Sequence, residues 1–323
     1  MFFSLSYKSK QFFFVIIKLS IVVGACYFIY KKLADNPDLR FNDFYQFLTE
    51  NDVFSLKNIF FLLFLTIFNW FFEILKWQKL VSLITKIRFK IALEQSLGAL
   101  TASLFTPNRI GEYGAKVVYY VSTYRKKIVL LNLLGNIAQM SVTLILGIIG
   151  ISCFVITYDV NLDYLKLIRF FIILLLIVSF IGFGIKKSNI TIKGYSIDKV
   201  FKFIKDLPFK TILITFLFSL LRYLIFSFQF YYFLIIFGIN ISYFDAMIVI
   251  TSMYLLTSII PSIFIFDVVI KGSVGVFLFS IIGVNELTIL NIITLMWLLN
   301  FVLPSLFGSY YVLNFNLPEE DIE

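Results

Sequence analysis

A chain of 323 residues that is 60% hydrophobic, with a mean hydropathy of +0.94, is too apolar for a soluble domain. It contains no histidine, which removes histidine proton relays, histidine metal ligands and Ser-His triads, and its two cysteines, Cys26 and Cys153, lie in different apolar runs, against a disulfide framework. The net charge of +9 comes from lysines in short loops beside apolar runs, a membrane pattern rather than a nucleic-acid one.

The first apolar run, 12–30, follows Lys8 and Lys10 as a signal peptide would, but no small-x-small site closes it. Val23-Gly24-Ala25-Cys26 loosely resembles a lipoprotein cleavage box, yet the run continues through Tyr30, so it reads as an uncleaved span. After a mixed loop, in which 41–54 reads as a weak interfacial stretch, full spans are expected at 59–80, 128–157, 167–185, 211–237 and 288–313. Two further apolar segments, roughly 91–122 and 244–282, are broken by proline and carry charges at the break.

Loop charges orient these spans. The segment 76–90, the turn 125–127 (Arg-Lys-Lys) and the loop 186–210 are strongly basic and are expected in the cytoplasm. The loops 31–58, 158–166 and 238–243 are mixed, nearly neutral and uncharged, and are expected outside. Within 186–210, Ser196 to Leu207 places Ile197, Val200, Phe201, Ile204 and Leu207 on one helical face, suited to lying on an anionic inner leaflet.

Both flanks of 91–122 are basic, so that segment enters from the cytoplasm and returns, while 244–282 dips from outside. A span, a hairpin and a span thus occur twice, with Pro107 and Pro261 in matching places and opposite entry sides, the pattern of an inverted repeat. The alternative is that each broken segment is two full spans with a proline kink. The expected fold is an all-α polytopic membrane protein with about six full spans and two Pro-broken re-entrant hairpins. It forms one transmembrane domain, 1–323: an N-terminal span and outer loop (12–58), repeat 1 (59–157), a connecting span and basic cytoplasmic loop (158–210), repeat 2 (211–313) and an acidic tail (314–323). Its expected location is the bacterial cytoplasmic (inner) membrane, with both termini inside.

Charges in these segments are the candidate site, because Asp, Lys or Arg at a helix centre costs about 2.5–3.5 kcal/mol on insertion scales. The first hairpin carries Pro107, Arg109, Gly111, Glu112, Gly114 and Lys116; Glu112 and Lys116 are four apart and share a helical face. They suit either a structural ion-pair clip or an anion site, in which Arg109 offers a bidentate fork beside a helix restarting after Pro107. The second hairpin carries Asp267 and Lys271, four apart, after Pro261 and before Gly272. Asp267 can pair with Lys271 or, across the repeats, with Arg109. Glu73 stands in span 59–80 either as a functional acid or as an interfacial one paired with Lys76 or Lys116; Arg222 either snorkels or joins the same cavity. Pro107, Gly111, Pro261 and Gly272 are expected helix breaks.

The residues SLFTPNRIGEYGAK resemble the lysylphosphatidylglycerol synthase transmembrane-domain family, also called flippase-like domain proteins, through P-x-R-x-G-E at Pro107, Arg109, Gly111 and Glu112. IIPSIFIFDVVIKGSVGVF is similar to the family's second signature, an apolar run ending in proline before a turn and a charged residue. It departs in having Phe264-Ile265-Phe266-Asp267 for a Gly-Gly-Leu-Gly-type turn and Lys271 at the usual terminal acid. The resemblance implies translocation of lipids, such as aminoacylated phosphatidylglycerol or polyprenyl-linked intermediates, between leaflets. Two-domain members carry a following soluble synthase; this sequence ends at Glu323, and no aminoacyl transferase or other enzyme activity is expected.

The expected function is flippase-like translocation of a lipid with a charged phospho- or aminoacyl headgroup. Arg109, with Lys116 or Lys271, would hold the phosphate; Glu112, Glu73 or Asp267 would hold an amine or balance charge. The rivals are an integral membrane enzyme acting on a lipid, which the lack of histidine and of clustered acids disfavours, an inverted-repeat transporter of an ion or small anionic solute, and a scaffold for envelope-lipid enzymes. No cofactor, metal or nucleic acid is expected; the expected partners are charged-headgroup membrane lipids and a second copy or a separate lipid-modifying enzyme.

Overall fold

A computed structural model describes residues 55–104, 106, 110–158, 205–259 and 264–316, with Val23 and Phe203; for 264–268 it describes the backbone only. The described residues are all-helical, with no strand. The expected spans 12–30 and 167–185, the stretch 41–54, most of 196–207 and the end of the acidic tail lie outside them, as do Cys26, Pro107, Arg109, Pro261 and the Asp267 side chain.

Among the described residues, four helices are long and apolar enough to cross a membrane: α1 (Leu56–Val81), α4 (Ser122–Thr157), α5 (Phe209–Ile236) and α8 (Glu286–Leu313). Each coincides with an expected span. Residues 125–127, expected as a turn, instead lie in the first turns of α4. The backbone needs no turn where the apolar stretch ends, because a helix satisfies its own hydrogen bonds on both sides of the boundary.

The ends of these helices follow from local chemistry. Ser55 caps α1 by accepting from the Asn58 N–H, and Asn285 caps α8 by accepting from Leu287 and Thr288. Gly238 and Gly283, at φ +71° and +77°, close the preceding helices in the left-handed conformation that glycine reaches without a Cβ clash.

Between α1 and α4 lie α2 (Phe89–Ser103) and α3 (Gly111–Val117), of 15 and 7 residues. At 1.5 Å per residue they reach about 22 Å and about 10 Å, short of a hydrocarbon core of about 30 Å. At their junction Thr106 accepts from the Gly111 N–H at 2.8 Å and donates to the Ser103 carbonyl at 2.8 Å. A Cβ on Gly111 would stand 2.8 Å from the Thr106 methyl, so the tight return requires glycine there. Between α5 and α8 lie α6 (Tyr243–Ile259) and α7 (Phe264–Ile281), which pack on each other.

Gly272, expected at a helix break, lies inside α7. A Cβ there would come 3.0 Å from a Leu290 methyl. Glycine's helix penalty of about 1 kcal/mol is outweighed by letting α8 approach.

The helices pair reciprocally. α1 packs along α5, α2 packs on the C-terminal part of α8, and α6 packs on α4. All three pairs run antiparallel. Along α1 and α5, Asn58 meets Tyr232, Thr66 meets Gln229 and Glu73 meets Arg222. Between α2 and α8, a Cβ on Gly308 would stand 2.2 Å from the Leu97 carbonyl oxygen, and Thr101 donates to the Ser305 carbonyl at 2.8 Å. Between α4 and α6, Cβ atoms on Gly147 and Gly150 would stand 2.4 Å from Leu255 and 2.0 Å from Thr251. Small residues admit the backbones in both cases, the usual device of membrane helices.

Candidate functional site

The buried face of α1 mixes apolar residues (Leu62, Leu65, Trp70, Ile74, Trp77) with a polar stripe, while its outer face is apolar. Thr66, Asn69, Glu73 and Lys76 are buried, while Phe60, Phe64, Ile67 and Phe71 are exposed. The polar residues recur every three or four positions and form one stripe facing the bundle. On α5 the matching stripe is Thr211, Thr215, Ser219, Arg222 and Gln229, with Leu213, Leu217 and Leu224 outward. Polar-in, apolar-out packing suits a hydrocarbon surround.

The two stripes and α8 share one hydrogen-bond relay. Gln229 donates to the Thr66 hydroxyl at 2.9 Å and accepts from Asn300 at 2.8 Å. Asn300 accepts from Asn69 at 2.8 Å, and Asn69 accepts from Arg222 Nε at 3.0 Å. Arg222 Nη1 then reaches Glu73 at 2.5 Å, and Lys76 Nζ meets the same carboxylate oxygen at 2.7 Å. Each amide has a donor on one side and an acceptor on the other, which fixes all three orientations.

Asn300 sits in a π-helical turn, Leu298–Val302, inside α8. Pro304 lacks the N–H that would bond the Asn300 carbonyl four residues back. That carbonyl accepts from the Trp70 indole at 3.0 Å. The wide turn thus feeds both ends of Asn300 into the relay.

A second group stands beside it. Lys116, 2% exposed, donates to Glu112 at 2.7 Å and to Asn132 at 2.9 Å, with its ammonium 4.1 Å from the centre of the Trp77 ring. The Trp77 indole and the Tyr120 hydroxyl both donate to Gln95 Oε1, at 2.8 Å and 2.7 Å. Asn132 and Gly135 on α4 link the groups, since a Cβ on Gly135 would stand 3.7 Å from Lys76 Cε.

Of the sequence-derived candidates, Glu73, Glu112 and Lys116 come together in this region, each already held by a buried partner. Lys271 lies on α7 with its ammonium 5.4 Å from the Phe301 ring centre. Arg109 and the Asp267 side chain lie outside the described residues. Lys76, Asn69, Gln95, Asn132, Gln229 and Asn300 are not singled out by helical spacing. Their common signal is a polar residue inside an otherwise apolar run. Among the described residues no three carboxylate or thiol side chains converge as a metal site would need.

Comparison with models of protein families, with curated proteins and with solved structures finds no match.

Proposed function

We propose that this protein moves a lipid with an anionic or zwitterionic phosphate headgroup between the leaflets of the cytoplasmic membrane. The observation that carries the reading is the buried charge between α1, α3, α4 and α5. Among the described residues, three cations, the buried Lys76 and Lys116 and the part-buried Arg222, face two carboxylates, Glu73 and Glu112, an excess of one positive charge (3 − 2 = +1). A charge excess inside a bundle is costly and favours an incoming anion. In this reading Arg109, three residues before Glu112, supplies the fork that grips the phosphate, and Glu112 holds a headgroup amine where there is one and otherwise balances the charge of the cations.

The antiparallel pairing of α1 with α5, and the reciprocal packing of α2 on α8 and α6 on α4, support an inverted repeat. In such a repeat the α2–α3 hairpin enters from the cytoplasm and the α6–α7 hairpin from outside. The headgroup passes between the hairpins while the acyl chains stay in the bilayer. The likeness of SLFTPNRIGEYGAK to the flippase-like family supports the same substrate class.

The test is transbilayer movement of a fluorescent phosphatidylglycerol in proteoliposomes, for wild type, Arg109→Ala and Glu112→Gln. Both variants are expected to lose movement while remaining folded by size-exclusion chromatography. Unchanged movement in both contradicts the site, and phosphate or sulfate uptake without lipid movement contradicts the substrate class.

A further inference from the structure

The helix α8 serves both halves of the molecule, and it changes helical register between them. Its first part, Glu286–Trp297, packs on α7, where a Cβ on Gly275 would stand 2.8 Å from Ile293 Cδ1. Its last part, Leu303–Leu313, packs on α2, where Thr101 donates to the Ser305 carbonyl and the bare Gly308 admits the Leu97 carbonyl oxygen. Between the two parts, in the π-helical turn Leu298–Val302, the Leu303 N–H bonds to the Leu298 carbonyl five residues back. The long helix at the matching place in the first half, α4, runs from Ser122 to Thr157 as one α-helix.

A π-turn closes its hydrogen bond over one residue more than an α-turn. Its conversion to α would shift the last part of α8 by one position relative to the first, about 100° of rotation and about 1.5 Å of rise. The α2 helix could not stay behind, because its backbone lies against Gly308 with no side chain between. The register of this turn therefore sets where α2 sits, and with it α3, which packs on α2.

Asn300 holds the turn in place. Its Nδ2 donates to Gln229 on α5 at 2.8 Å and to the Met296 carbonyl at 3.1 Å. Its Oδ1 accepts from Asn69 on α1 at 2.8 Å, and its backbone carbonyl accepts from Trp70. Asn69 in turn accepts from Arg222, which pairs with Glu73. We infer that the π-turn is a coupling element, through which Asn69 and Asn300 transmit the pairing of Glu73 and Arg222 to the position of the α2–α3 hairpin. When Asn69 lets go of Asn300 the turn changes register, and α2 moves with the last part of α8. Use of this movement to admit a headgroup rests on the function proposed above; the coupling itself does not.

The experiment measures distances between spin labels by double electron–electron resonance, on the full chain in detergent with Cys26 and Cys153 replaced by serine. One label pair, Ile91→Cys on α2 with Leu217→Cys on α5, reads the hairpin. The other, Phe277→Cys on α7 with Leu217→Cys, is the reference, and all three positions are exposed. The relay is cut by Asn69→Ala and, separately, by Glu73→Gln. Each is expected to add a second hairpin distance, displaced by about 1.5 Å or more, while the reference distance stays single and unchanged. Asn69→Ala keeps the ion pairs of Glu73, so it carries the test alone if Glu73→Gln does not fold. A hairpin distance that stays unchanged in a folded variant, or an equal shift of both pairs, overturns the coupling. The readout needs no lipid movement, so it and the translocation assay fail separately.

Discussion

Trp70 donates its indole N–H to the backbone carbonyl of Asn300 at 3.0 Å, joining α1 to a carbonyl whose i+4 position holds Pro304, which has no N–H. Two sequence-distant choices, a proline in α8 and a tryptophan in α1, therefore satisfy one buried acceptor. Trp70→Phe should cost about 1 kcal/mol in wild type, the usual worth of such a bond. In a Pro304→Ala background, where a backbone N–H returns, the same change should cost little. A double-mutant cycle from detergent-solubilised thermal unfolding measures the difference, and equal costs would disconnect the two residues.

The Glu73 carboxylate is shared by Arg222 and Lys76, at 2.5 Å and 2.7 Å. Glu73→Gln leaves the buried Lys76 and the part-buried Arg222 facing a neutral amide and should destabilise by about 3–5 kcal/mol. Arg222→Met leaves the Glu73–Lys76 pair intact and should cost less. The double variant should be no less stable than Glu73→Gln alone. Chemical denaturation of the three proteins in detergent checks the order; a more severe Arg222→Met would show that the Asn69 hydrogen bond outweighs the ion pair.

Glycine positions should respond with opposite signs. At Gly308 a methyl would press on the Leu97 backbone oxygen at 2.2 Å, so Gly308→Ala should destabilise by about 1–3 kcal/mol. At Gly114, exposed on α3, a methyl meets nothing within 4 Å, and Gly114→Ala should stabilise by about 0.5–1 kcal/mol through helix propensity. Melting temperatures of the two variants decide this; a rise for Gly308→Ala would rule out the close α2–α8 packing.

The four long helices are readable in the sequence because an apolar run of the right length needs no partner to be recognised. The Glu112–Lys116 pair is readable from its four-residue spacing. The contact of Arg222 with Glu73 is not, because their 149-residue separation carries no periodicity. Asn300 is hidden for the same reason, its partners lying on α1 and α5. Gly272 misleads because glycine both breaks helices and admits close neighbours, and only the approach of Leu290 decides which.

Opposed hairpins require the α3–α4 and α7–α8 connections to face opposite sides. Lys126 and Glu286 are both exposed near these connections. With Cys26 and Cys153 replaced by serine, Lys126→Cys should react with a membrane-impermeant maleimide only after inside-out exposure, and Glu286→Cys in intact spheroplasts. Labelling of both from one side would exclude the inverted repeat.

The account rests on passage of a charged lipid headgroup, and wild-type translocation in reconstituted vesicles tests it most directly. With a quencher confined outside, fluorescent phosphatidylglycerol in protein-containing vesicles should bleach beyond the outer leaflet's share, while a lipid with an uncharged sugar headgroup should stop at that share. Bleaching of the phosphatidylglycerol that stops at the level of protein-free vesicles would contradict the account.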